Sequence, residues 1–378
     1  MQFSAIPGHQ DIKQVLIKAA QNQKVAHGLL FKGQEGTANL SLAISFATFL
    51  NCEQPTDTDS CGECSSCKKM SKLAHPDVNF FFPMARNENV PKNEPPSRQY
   101  FIKDFRNIIA KNPYLNENDW AETIGVANKQ LSIPVDEARV IKESVSLVAY
   151  EGKYKVVIIW LPEYFNTQAA NALLKILEEP QPQTLFFLVT NEPEQLIITI
   201  TSRTQAISVP QFDEQQIADY LIAHEGIQEK QAQQIALLAD GNLNAAIKMI
   251  AHETDPFFPF FSEWMRHCFG KKVIDMVDDT DVFAKLGREV QKSFLLYSCQ
   301  MIRKAFVMNK QVPELVKLPK EEFAFIEKFS PYIHLGNIDH IFEMLSQGYT
   351  HIERNGNPKM IFLDSSLQLM QAFRQPAP

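Results

Sequence analysis

The sequence has no excess of positive charge: 37 Lys and Arg stand against 44 Asp and Glu, a net charge of −7. A chain that grips nucleic acid alone carries a basic footprint, so any DNA contact is expected to be local or shared. No apolar run approaches the roughly 18 residues that span a bilayer. Met1 to Lys13 also lacks the charged-then-apolar layout of a signal peptide. A cytoplasmic protein with no membrane role is the expectation. No repeat at the roughly 20 to 50 residue periods of solenoids is present. Hydrophobic residues at 45% and charged residues at 21% sit near the globular average and leave little room for extended disorder. A length of 378 residues implies two or three domains at roughly 100 to 200 residues each.

Cysteine is scarce too, with six in the chain, yet four of them are Cys52, Cys61, Cys64 and Cys67. Such clustering in a chain expected to be cytoplasmic points to metal rather than disulfides. Four thiolates spaced C-x8-C-x2-C-x2-C close a tetrahedral shell around one Zn²⁺. With no position left for water, the zinc is expected to be structural. Cys268 and Cys299 read as reduced core residues, and His75-Pro76-Asp77 reads as a turn rather than a further ligand.

The first half alternates strand-like and helix-like segments, the signature of an α/β layer fold with a parallel sheet. His27 to Lys32 reads as a buried strand, Gly33 to Thr37 as a glycine loop and Asn39 to Leu50 as a helix. A second strand is expected over Tyr154 to Trp160, then a helix over Thr167 to Glu179 with Asn166 as N-cap. A third strand, Leu185 to Thr190, precedes Thr201-Ser202-Arg203-Thr204 and a β-like Ala206 to Val209. From Asp213 the pattern turns helical with glycine stops, and Asp255-Pro256 breaks it before longer amphipathic helices. The expected domains are therefore 1–210, a helical lid at 211–254 and an all-helical domain at 255–378. The proline-rich stretch 83–130, with a helix expected at Arg98 to Ile109, reads as a partly mobile surface insertion.

The loop Gly33-Gln34-Glu35-Gly36-Thr37-Ala38-Asn39-Leu40 stands where G-x-x-x-x-G-K-[ST] would cradle phosphate between a strand and a helix. It departs at three positions. Ala38 brings a Cβ where backbone must approach phosphate, Asn39 replaces the lysine that reaches the β- and γ-phosphates, and Leu40 replaces the Mg²⁺-binding hydroxyl. The second strand ends in Trp160-Leu161-Pro162-Glu163, and neither Trp nor Leu coordinates a metal. Hydrolysis of ATP by this chain is not expected.

These features together resemble the delta-prime family of bacterial DNA polymerase III clamp-loader subunits. The resemblance rests on Ile6-Pro7-Gly8-His9, Ala26 to Phe31, the four cysteines, Ile133 to Arg139, Asn171 to Pro180 (NALLKILEEP) and Ser202-Arg203-Thr204. It implies an AAA+ module, that is, a P-loop NTPase-like parallel sheet with flanking helices plus a small helical lid, followed by an all-α collar that holds a five-membered ring. The implied partners are gamma or tau and delta subunits, and through them a sliding clamp and primed DNA. Arg203 is implied to act in trans, entering a neighbour's ATP site. Asn244 falls where active relatives place a nucleotide-sensing arginine, and Lys175 where related subunits face DNA phosphates. The family's Ser-Arg-Cys ends here in Thr204, and the 83–130 insertion is longer than the family leads one to expect and has no assigned role. Competing readings are an active AAA+ ATPase, a zinc-dependent nucleic-acid binder and the delta subunit of the same complex.

Overall fold

The computed structural model describes residues 1–127, 129–251, 257–310, 316 and 318–376, so the break expected at Asp255-Pro256 lies outside the described residues. It comprises two compact units, residues 1–126 with 130–247, and 127–129 with 248–378.

The first unit runs α1 (Gln10–Gln21), β1 (Gly28–Lys32), α2 (Asn39–Leu50), α3 (Ser65–Ser71), β2 (Val78–Phe81), α4 (Ile102–Lys111), α5 (Glu117–Thr123), α6 (Val135–Ser146), β3 (Lys155–Trp160), α7 (Thr167–Glu178), β4 (Thr184–Thr190), α8 (Ile198–Thr201) and β5 (Gln205–Ser208). The helical segment that follows holds α9 (Glu214–Tyr220), α10 (Glu229–Ala239) and the start of α11 (Leu243–Ala251). All strand pairs are parallel, in the order β2-β3-β4-β1-β5. Every residue of β3 and β4 is buried, which is why both read as unbroken apolar runs rather than as alternating ones. All twelve residues of α2 are buried as well, so this helix has no solvent face. Register sets Lys32 beside Thr190, and this brings the loop after β1 against the end of β4.

Two sequence expectations need correction. The edge strand β2 was not foreseen, because Val78-Asn79-Phe80-Phe81 is short and stands between Pro76 and Pro83. The stretch after Pro83 is also no loose surface insertion. It carries α4 and α5, and Phe101, Phe105 and Trp120 are wholly buried. Phe82 and Phe105 stack with centroids 4.2 Å apart, and Trp120 Nε1 donates to the Pro83 carbonyl at 2.7 Å. Phe105 also meets Trp160 at the end of β3, at 5.9 Å.

The second unit contains α12 (Phe258–Gly270), α13 (Val273–Lys285), α14 (Arg288–Asn309), α15 (Lys320–Phe329), α16 (Ile338–Glu353) and α17 (Pro358–Ala372). Its core is aromatic. Phe362 stacks on Trp264 at 4.5 Å and on Phe283 at 4.2 Å, while Trp264 Nε1 is satisfied by Ser366 Oγ at 2.8 Å.

Candidate functional site

The glycine loop leaves β1 at the carboxyl edge of the sheet, where open α/β sheets place their ligands. Here its polar groups are engaged internally. Thr37 Oγ1 donates to the Gln34 carbonyl at 2.7 Å. Asn39 Nδ2 donates to Asn191 Oδ1 at 2.9 Å, and Asn39 Oδ1 accepts from the Leu40 amide at 2.9 Å. The side chain at the expected lysine position is thus a buried tie between α2 and the end of β4. Ala38 and Leu40 are buried, and Ser41 Oγ turns back to the Ala38 carbonyl.

Gly36 has φ +71°, a region that suits glycine. A Cβ there would stand 1.8 Å from Asn242 Oδ1, so the helical segment closes directly on the loop. The Leu243 amide, which opens α11, donates to the Gly36 carbonyl at 3.1 Å. Asn244, the expected sensor position, is buried and bonded to Asn112 and Asp119 of the insertion at 2.6 and 2.7 Å.

At the end of β3, Trp160 and Leu161 are both buried, and Leu161 turns the chain at φ +55°. Glu163 comes next to the cleft instead of an acid at 160. Its Oε1 accepts from the Asn191 amide at 3.3 Å, Oε2 is buried without a partner, and burial raises its pKa to about 7. His9 lies on the Phe212 ring, with centroids 4.9 Å apart, and burial lowers its pKa to about 4.

The four cysteine Sγ atoms lie within 4.8 Å of one another, and none forms a disulfide. Backbone amides of Cys61, Cys64 and Cys67 point at the sulfurs of Cys52, Cys61 and Cys64 at 3.3 to 3.4 Å. The amides of Cys64 and Glu63 hold the Cys61 thiol down to about 6, while burial pushes Cys67 up. Thiolate-directed amides and convergent sulfurs fit a metal ion, compatible with zinc. The amino terminus packs on this module: Phe3 and Ser4 amides donate to Asp59 at 2.9 and 2.8 Å. His75 lies outside the sulfur cluster, and its Nδ1 accepts from the Asp77 amide.

Arg203 is not part of the cleft. It borders a shallow recess of about 500 Å³ with His27, Gly28, Leu177 and Glu178, at the amino end of β1. The five residues of β1 separate it from the glycine loop, about 13 Å of strand. Its guanidinium donates to the Thr199 carbonyl at 2.9 Å and to Glu178 Oε1 at 2.5 Å, and a third of the side chain is exposed. Lys175 is exposed on α7. The structure thus gathers the loop, Trp160, Leu161 and Asn244 at one edge of the sheet and leaves Arg203 at the other. Sequence reasoning missed Glu178, whose place in LEEP gives no sign of a partner 25 residues on, and passed over Glu163 as merely misplaced.

A family model described as DNA polymerase III, delta subunit, matches residues 8–213, more than half of the chain. The chain belongs to the DNA polymerase III delta subunit family. Similar proteins include the tau subunit of Bacillus subtilis, 28% identical over 66% of this chain and 37% of that one. The delta-prime subunit of Bacillus subtilis is 24% identical over 65% of this chain and 60% of its own length. That of Escherichia coli is 30% identical over 50% and 43%. The match therefore spans less than two thirds of each relative, and the family model stops at residue 213, short of the helices that follow.

Proposed function

We propose that the chain is a non-hydrolysing clamp-loader subunit that works with gamma or tau and delta subunits to load a sliding clamp onto primed DNA, lending Arg203 to a neighbour's ATP site. The observation that carries this reading is the separation of the two features: a glycine loop engaged with its own chain, and an arginine presented at the opposite end of the same strand. A guanidinium meets a γ-phosphate bidentately and offsets the negative charge of phosphoryl transfer. In this reading the phosphate displaces the Glu178 carboxylate, which holds the fork meanwhile. The four cysteines hold one structural zinc, and Lys175 adds a single phosphate contact with DNA. Lys175→Ala is then expected to lower the salt slope of DNA binding by the complex by about one ion.

Arg203→Ala is the decisive substitution. Folding, metal content and ring assembly should persist, while DNA-stimulated ATP hydrolysis and clamp loading by the reconstituted complex fall. The fall should be smaller than the roughly thousandfold one such arginine is worth, because other sites retain theirs. Lysine at 203 should rescue poorly, having charge without the planar fork. Wild-type loading by an assembled Arg203→Ala complex would leave Arg203 as an ordinary ion-paired surface residue.

A further inference from the structure

We propose that the insertion over residues 83–126 is an internal substitute for nucleotide: it fills the cleft between the glycine loop and the helical segment 214–247 and holds the two together with no ligand present. Three bridges made by the insertion carry this. Tyr114, only 2% exposed, puts its ring edge-on to Phe212 and Tyr220, each with centroids 5.6 Å away. It thereby ties the insertion to both ends of the segment's first helix. Asn244 accepts from Asn112 and donates to Asp119, so two insertion residues clasp the opening turn of α11. Asn116 Nδ2 donates to Glu35 Oε2 at 3.3 Å, reaching the loop itself.

These contacts take up the groups a nucleotide would use. Aromatic rings of this kind suit contact with a base, and here a tyrosine of the same chain packs on them edge-to-face. The Leu243 amide at the start of α11 has the position and polarity to favour an anion, and it is bonded to the Gly36 carbonyl instead. The insertion is in turn rooted in the sheet, since Phe105 packs on Trp160, where a competent site would hold an acid. Loss of catalytic groups and gain of the plug are therefore parts of one packing arrangement. In a site that takes nucleotide, closure of such a segment depends on the ligand. In this chain closure is permanent.

The proposal rests on the degenerate-site part of the preceding reading, and exchange measured without nucleotide tests the bridge separately from the site. In the full-length, metal-loaded protein, Tyr114→Ala should speed amide exchange in residues 214–247 by about tenfold or more while leaving β1, β3 and β4 protected. Added p-cresol, which matches the deleted ring, should restore protection. Should Tyr114→Ala fail to fold, Asn112→Ala with Asn244→Ala cuts the second bridge without opening a core cavity, and the same local increase is expected. Unchanged exchange in 214–247 in whichever variant folds would overturn the proposal. So would a uniform rise across the whole unit that p-cresol does not reverse. Saturable ATP binding by the wild-type chain, with Tyr114 in place, would overturn it as well.

Discussion

Glu163 sits with one carboxyl oxygen buried and unpartnered beside the cleft, and the fold favours its protonated form. A carboxyl whose folded pKa lies above its unfolded value contributes its stability below about pH 4.5 and loses it as pH rises toward 7. Glu163→Gln keeps the acceptor for the Asn191 amide and removes the ionisation. It should stabilise the first unit by about 2 kcal/mol at pH 8 and change little at pH 4.5. His9 works in the opposite direction. Burial, with the Lys13 charge adding to it and Asp213 opposing, holds its folded pKa below the unfolded one. The unfolded chain therefore takes up a proton first as pH falls from about 6.5 to 4, and stability drops across that window. His9→Asn, which tolerates the left-handed backbone at φ +54°, should flatten that acid limb. Urea unfolding followed at several pH values reads both effects. At this scale the sequence was informative where chemistry is local. The spacing of Cys52, Cys61, Cys64 and Cys67 announces a metal shell, and Asn39 announces a missing charge. It was silent on Tyr114 and Asn112, whose partners lie about a hundred residues further on and leave no periodic trace.

Among the elements, the cysteine module has consequences beyond itself. Cys64 caps α3 through its own sulfur, and the adjoining Asp59 holds the first residues of the chain. Removing the metal should therefore loosen the amino-terminal segment along with the loop, because metal binding contributes folding free energy to such small units. One zinc per chain is expected by elemental analysis. Cys67→Ser, at the most buried ligand, should abolish it and lower the melting temperature. Protein purified without chelator yet free of metal would rule out the zinc reading. The strands were legible as apolar runs wherever both faces are covered, as in β3 and β4. β2 was not, since four residues hemmed by prolines present no period to read. The insertion was misread for a related reason: its prolines suggest a surface loop, while its burial is decided by Phe101, Phe105 and Trp120, which pack only once the sheet exists.

For the whole molecule, the family-matched residues lie in the first unit apart from 127–129, and the helices from residue 248 onward lie beyond the match. The second unit leaves Val273, Ile274, Val277, Leu296 and Met360 largely exposed, more apolar surface than a solitary helical unit has reason to show. In the collar reading that the family resemblance implies, a chain ending near residue 255 keeps its metal and its first unit but enters a reconstituted five-membered complex poorly. Gel filtration of reconstituted complexes tests this, and equal incorporation would remove the collar assignment.

The contact between Phe105 and Trp160 also bears on what substitution at the site could achieve in the non-hydrolysing reading. An aspartate restored at 160 would not meet water or a metal; it would bury a charge against an aromatic core and leave an indole-sized void. In that reading a first step toward catalysis is a folding defect, and further changes at 38, 39 and 40 bring no gain while the insertion stays in place. Under the non-hydrolysing reading proposed above, packing makes the loss of activity a ratchet, which turns easily in one direction and is blocked in the other.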